Sequence, residues 1–203
     1  MKRSEFVKRI FALSLLTTTT GSLFARIIRS KEQTLIVYLS RTNNTKAIAQ
    51  MIQKELGGDL LLLELAKPYP EDYKKTVDQV SNENETGYLP ELPTKVYDIG
   101  RYNTIFIGYP TWDMQLPPPM KSFLTNHDLR NKTIVPFNTN AGYGLGTSVE
   151  TIKKLSKSSK VLEPFKIEGG KERDGILFVM KGEKEKQAQI KIKKWLLELQ
   201  LIK

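Results

Sequence analysis

The sequence has 203 residues, enough for one ordinary domain and too few for two comfortable cores. It is 39% hydrophobic and 27% charged, with a formal net charge of +10, which fits a folded basic protein and argues against a disordered chain. There is no cysteine and one histidine, His127, which excludes disulfides, thiolate chemistry, cysteine-bound clusters and any ordinary zinc or haem site.

Redox chemistry in such a chain needs an organic cofactor, and no metal site is expected. The lysines are dispersed and not interleaved with aromatics, so no nucleic-acid partner is expected, while an acidic partner or proximity to an anionic membrane surface is compatible with the charge.

At the N-terminus Lys2, Arg3, Lys8 and Arg9 precede the apolar run 10–16. Thr17 to Gly21 then lead into Ser22-Leu23-Phe24-Ala25, the basic, apolar and small-residue order of an export signal cut after Ala25. The apolar run is shorter than the roughly 20 residues of a membrane-spanning helix. Arg3-Ser4-Glu5-Phe6-Val7-Lys8 is similar to a twin-arginine signal in which Ser4 stands for the second arginine. We therefore expect an export segment over 1–25, a linker over 26–33, one domain over 34–203, and a periplasmic or cell-envelope location. Four basic residues leave with the segment against one acidic, Glu5, so the remainder stays basic.

From Thr34 the chain alternates between short β-rich runs and helical periodicity. Residues 34–39 read as a strand, and 45–56 place Ile48, Ala49, Ile52 and Leu56 on one face of a helix. A strand over 59–65 and a helix over 70–81 follow. Residues 87–100 read as a long loop, and Glu83 and Glu85 as carboxylates of a solvated loop. Strands over 104–109 and 133–138 alternate with helices over 118–126 and 147–157. The fifth strand is either 161–167 alone or that run joined in the sheet by 176–180, and a helix over 183–199 closes the chain. Alternation with near-continuous apolar strands indicates a parallel sheet covered by helices on both faces, where ligands bind beyond the carboxyl ends of the strands.

Three loops at those ends carry chemistry. The first, Ser40-Arg41-Thr42-Asn43-Asn44-Thr45, sets hydroxyl and amide groups at a helix start, where the positive end of the helix dipole attracts an anion. It lacks the glycine-lysine-serine/threonine ending of a nucleoside-triphosphate loop, and taken alone it reads first as an ordinary helix cap, with Asn43 or Asn44 satisfying the orphan donors. The second, Tyr109-Pro110-Thr111-Trp112-Asp113, holds an aromatic ring on a loop stiffened by Pro117, Pro118 and Pro119. The third runs from Thr139 through Asn140, Ala141 and Gly142 to Gly146, with glycines that allow close backbone approach to a ligand.

Tyr38-Leu39-Ser40-Arg41-Thr42-Asn43-Asn44-Thr45, Tyr109-Pro110-Thr111-Trp112 and the segment 136–146 together resemble the flavodoxin-like family, in order, over about residues 34–157. The resemblance implies a doubly wound five-stranded parallel α/β sheet that binds FMN. It assigns Ser40, Thr42, Asn43, Asn44 and Thr45 to the phosphate. Pro110, Thr111 and Trp112 fall to one side of the flavin ring, and Thr139, Asn140, Ala141 and Gly142 to its polar edge. Asn43 stands where the family usually has glycine, and asparagine tolerates the left-handed turn better than most residues.

The expected function is an exported FMN-dependent oxidoreductase or electron carrier that reduces a quinone, another small acceptor or a redox partner protein. The alternatives are a flavodoxin-fold binding module without redox turnover, and a nicotinamide-dependent enzyme using the glycine loop after Asn140 as its phosphate site. The sequence has no Gly-x-Ser-x-Gly elbow, no His-Glu-x-x-His pair and no aspartate cluster suited to magnesium.

Overall fold

The computed structural model describes residues 34–96 and 98–203; the expected export segment and linker lie outside the described residues. In chain order the elements are β1 (Thr34–Tyr38), α1 (Asn44–Leu56), β2 (Asp59–Leu62), α2 (Tyr73–Thr86), β3 (Thr104–Pro110), α3 (Pro118–Asn126), β4 (Thr133–Asn140), α4 (Ser148–Leu155), β5 (Lys160–Val161), β6 (Phe165–Glu168) and α5 (Gly182–Glu198). Every strand pairing is parallel, and the order is β2-β1-β3-β4 with both β5 and β6 along the outer side of β4.

The sheet therefore has five strand positions, as expected, with the fifth interrupted. β5 pairs with Thr133 and Ile134, and β6 with Phe137 to Asn140. Pro164 lies in the gap, and proline has no N–H to donate to a ladder. Residues 176–180 do not join the sheet; only Ile176 makes a bridge, to Lys171.

Alternation along the strands sends side chains to two cores. Ile36, Tyr38, Phe106, Val135 and Phe137 pack with Ile48 and Ile52 of α1 and with Ala188, Ile192 and Trp195 of α5. Leu35, Val37, Ile105, Ile107 and Tyr109 pack with Met120 and Phe123 of α3 and Ile152 of α4. Both faces are thus covered, which explains why β1 is buried at every position. Tyr38 pairs with Gly108, and Gly108 with Phe137, so the chain leaves β1, β3 and β4 at one edge of the sheet.

One expectation is corrected at α2. The helix starts at Tyr73, not at 70, because the Asp72 carboxylate accepts from the Lys75 N–H at 2.8 Å and caps it. It runs on to Thr86 and ends at left-handed Gly87, so Glu83 and Glu85 are helical. Glu83 is 4% exposed, not solvated. Its carboxylate accepts from the Tyr69 hydroxyl at 2.5 Å and from the Gln79 side-chain amide at 2.8 Å, the partners that burial of a charge requires.

Candidate functional site

The first loop enters α1 through Asn43, at φ 62° and ψ 0°, whose side chain makes no capping bond. Capping falls to Ser40 instead: its hydroxyl accepts from the Lys46 N–H at 3.3 Å, while the Asn43 carbonyl accepts from the Ala47 N–H at 3.0 Å. The N–H groups of Asn44 and Thr45 precede any helical acceptor and sit at the positive end of the dipole. The Asn44 side chain is buried and fully engaged. Its amide donates to Thr42 Oγ1 at 2.9 Å and to the Leu177 carbonyl at 2.6 Å, and its Oδ1 accepts from the Val179 N–H at 3.0 Å. The segment after β6 is in this way strapped to the loop. The Thr45 and Thr139 hydroxyls meet at 2.8 Å and tie the start of α1 to the end of β4.

The second and third loops are joined by a polar chain. Thr111 N–H donates to the Thr139 carbonyl at 3.1 Å, and Thr111 Oγ1 donates to the Gly144 carbonyl at 2.7 Å while accepting from Asn138 Nδ2 at 3.0 Å. Asn138 Oδ1 accepts from Asn140 Nδ2 at 3.0 Å, and Asn140 Oδ1 accepts from the N–H groups of Gly142 and Gly144 at 2.9 and 3.2 Å. Those two loop amides are turned onto Asn140.

Trp112 opens a tight turn with Asp113 and Met114 at φ 49° and 53°, closed by hydrogen bonds of 2.8 and 3.3 Å between Trp112 and Gln115. Positive φ at both central residues is the type I′ pattern. The turn is backed by the glycine loop. A Cβ on Gly146 would lie 1.8 Å from the Met114 carbonyl oxygen, which also accepts from the Thr147 N–H at 3.0 Å. The half-buried Trp112 ring stands edge-on to Tyr69, centroids 5.1 Å apart at 86°. Burial, and then the bond to Glu83, push the Tyr69 phenol well above its usual range, so that hydroxyl stays a donor.

Between the loops runs a crevice. One end is lined by Thr42, Asn44 and Thr45 of the first loop, Pro110, Thr111 and Trp112 of the second, and Thr139, Asn140 and Ala141 of the third. It continues into a cavity of about 290 Å³ walled by Tyr73, Val77 and Val80 of α2 and by Met114 and Tyr143. Of the remaining expected residues, Ser40 lies behind the helix start as its cap, exposed Asn43 forms the turn, and Gly142 lines a neighbouring groove.

Sequence reasoning missed the residues that hold the crevice together. Arg41 Nε pairs with Glu172 at 2.6 Å, and its other two nitrogens donate to the carbonyls of Pro70 and Glu71 at 2.8 and 2.6 Å. Arg41 joins three segments distant in sequence, so no local pattern announces it. Gly169 was also missed: a Cβ there would lie 3.3 Å from Thr139 Cβ and 3.4 Å from Asn44 Cβ, so its bareness keeps that end of the crevice open. The Thr76, Val80 and Glu83 spacing on α2 is a buried helical face that was readable in the sequence.

Residues 33–177 match the family model described as Flavodoxin. The protein belongs to the flavodoxin family. Similar solved structures of such proteins include one from Bacteroides eggerthii DSM 20697 assigned as a flavoprotein, with TM-score 0.66 and 27% identity over 84% of this chain and 99% of that one. A second assigned flavoprotein, from Bacteroides uniformis ATCC 8492, has TM-score 0.66 and 21% identity over 82% and 98%. A flavoprotein from Lactobacillus acidophilus NCFM, solved in complex with FMN, has TM-score 0.61 and 24% identity over 66% and 93%. No curated protein matches the sequence significantly. In this flavodoxin-family chain the crevice lies where doubly wound folds bind ligands, beyond the carboxyl ends of β1, β3 and β4.

Proposed function

We propose that the chain is an exported FMN-dependent oxidoreductase or electron carrier that passes electrons to a quinone, another small acceptor or a redox partner protein. One observation carries this reading: the space lined by Asn44 and Thr45 at the start of α1 shares Thr111, Trp112, Asn140 and Ala141 with the cavity that has the apolar walls of α2. An anion at one end and a flat aromatic group at the other is the chemistry of a flavin mononucleotide. The FMN-bound relative from Lactobacillus supports the assignment.

The residues present fit the group. Phosphate would be held by the Asn44 and Thr45 N–H groups and the Thr42 hydroxyl, helped by the dipole of α1. Arg41, the cation of that loop, is engaged with Glu172, so this phosphate site works through amides more than through a paired charge. Bareness at Gly169 leaves room between Thr139 and Asn44. The ring would lie beside Trp112, with Asn140 and Ala141 at its polar edge. A bound flavin can accept one electron or a hydride. The chain would hold the ring against the apolar wall of Tyr73, Val77 and Val80 and would fix its polar edge through Asn140.

Export rests on the order of basic, apolar and small residues over 1–25; fractionation with N-terminal sequencing, expected to begin near Arg26, tests it. For the cofactor, apoprotein is titrated with FMN and with riboflavin. FMN should bind at least about tenfold more tightly, since only it reaches the helix-start amides. Equal affinities would reject the phosphate assignment, and a colourless protein that takes up neither would favour a binding module without redox turnover.

A further inference from the structure

On the far side of the glycine loop, β6 and the first half of α5 border an open groove of about 550 Å³. Lys184, Gln187 and Lys191 face it from α5, at the i, i+3 and i+7 spacing that puts side chains on one helix face. Lys166 faces it from β6, where it alternates with buried Phe165 and Ile167. Among the described residues none of these three lysines has an ion-pair partner, whereas Glu183 in the same wall is held by Lys186 at 3.8 Å. Glu168 and Glu183 are the carboxylates of the wall, against three lysines.

A lysine on an edge strand such as β6 also discourages strand-to-strand association, but that role does not place two further unpaired lysines on the facing helix around a hollow. Nor does a simply solvated face make a concavity of this volume, which lies in the range of small-molecule sites. We propose that this groove is a second ligand site that takes a small anionic molecule bearing a phosphate or carboxylate group. Its inner end is Asn140, Gly142 and Gly144, and Asn140 lines the crevice as well. Through the bonds from Gly142 and Gly144 to Asn140 Oδ1, the groove and the crevice share one loop. The nearness of this ligand to a flavin rests on the FMN reading above; the groove itself does not.

The probe is inorganic pyrophosphate, titrated into FMN-loaded, ¹⁵N-labelled protein so that the first-loop phosphate site is already filled. Saturable shifts are expected at the amides of Lys166, Lys184, Gln187 and Lys191, extending to Gly142. The double variant Lys184→Gln/Lys191→Gln should weaken pyrophosphate by about tenfold or more while leaving FMN affinity within about twofold. Raising the salt concentration should weaken pyrophosphate binding too, because the cations are solvent-exposed. Shifts that never saturate, or that spread equally to Lys153 and Lys157, mean ionic screening and overturn the proposal; so do shifts confined to Ser40 to Thr45. Should the protein hold no FMN, the functional reading fails separately, and the same titration of apoprotein, read at Lys184 and Lys191, still decides the groove.

Discussion

Asn44→Ala tests whether the segment after β6 is pinned to the start of α1. The substitution removes three hydrogen bonds, of 2.9 Å to Thr42, 2.6 Å to Leu177 and 3.0 Å from Val179. Each is worth about 1 kcal/mol net. Leu177 is an exposed residue, so water can replace the lost partner of its carbonyl, whereas the half-buried Val179 N–H is less easily rehydrated. The expected loss is therefore about 2 kcal/mol, less than the sum of three, and for a domain of this size it lowers Tm by roughly 4–8 °C. Hydrogen exchange localises the effect: the Val179 amide should lose protection while Ile36 and Ile107 in the central strands keep theirs. Asn44→Asp is the informative companion, since it keeps an acceptor for Val179 but sets a negative charge at the anion end of the crevice. FMN affinity should fall further in it than in the alanine variant. Unchanged Val179 protection with a Tm within about 1 °C of the parent would refute the pinning.

Trp112→Ala should weaken FMN by about 1–3 kcal/mol and shift the reduction potential, and should cost the apoprotein about 1 kcal/mol through the lost Tyr69 contact. Unchanged affinity would move the ring elsewhere, with Tyr143, 62% exposed at the mouth, as the next candidate. Gly146→Ala forces a Cβ into the Met114 carbonyl at positive φ and should destabilise by about 3 kcal/mol or more in denaturant unfolding; no loss would mean that turn and loop are not in contact. The Tyr109 and Ser148 hydroxyls are buried without a hydrogen-bond partner among the described residues, so Tyr109→Phe should be neutral or gain up to about 1 kcal/mol at pH 7. Burial raises the Tyr109 phenol above its ordinary 10.0. The folded state therefore favours the protonated form, and stability is lost as pH climbs past 10.0. Tyr109→Phe should flatten part of that fall, and identical alkaline slopes in Tm would contradict it.

The parts of the fold that could be read in the sequence are those governed by local rules. β1, β3 and β4 are apolar runs, and α1 and α5 carry periodic apolar faces, so their types and places followed from period and composition. The start of α2 depended on Asp72 rather than on Pro70 and its end on left-handed Gly87, while the burial of Glu83 depended on Tyr69 fourteen residues upstream, a contact that periodicity cannot register. The segment 176–180 has a strand-like composition but no strand partner. Asn44 takes two of its backbone groups, and the Gly170 backbone fits against Leu177. The three ligand loops were recognisable as sequence; their cross-links Thr45–Thr139, Thr111–Gly144 and Arg41–Glu172 join positions 94, 33 and 131 residues apart.

Those cross-links decide which groups remain for a ligand. Read singly, the first loop could have been an ordinary helix cap in which Asn43 or Asn44 satisfies the orphan donors. In the structure the cap is Ser40, the Asn43 side chain is outside the helix, and the Asn44 side chain is committed to the 177–179 segment. The donors at the head of α1 are consequently backbone amides held by a rigid element, and they need no side-chain rearrangement to meet an anion. At the other end Asn138, Thr111 and Asn140 are held by one another, so the wall beside Trp112 is shaped before a ring arrives. Preorganisation of this kind reduces the ordering cost of binding. It also separates two contributions: charge at the amides should favour the phosphorylated flavin over riboflavin, while Trp112 and the α2 wall should contribute nearly equally to both. Comparing Trp112→Ala with the parent for both ligands therefore gives equal fold-losses if the crevice is preorganised. A loss seen for FMN alone would mean that the phosphate end orders the ring site, and the wall would then have to form on binding.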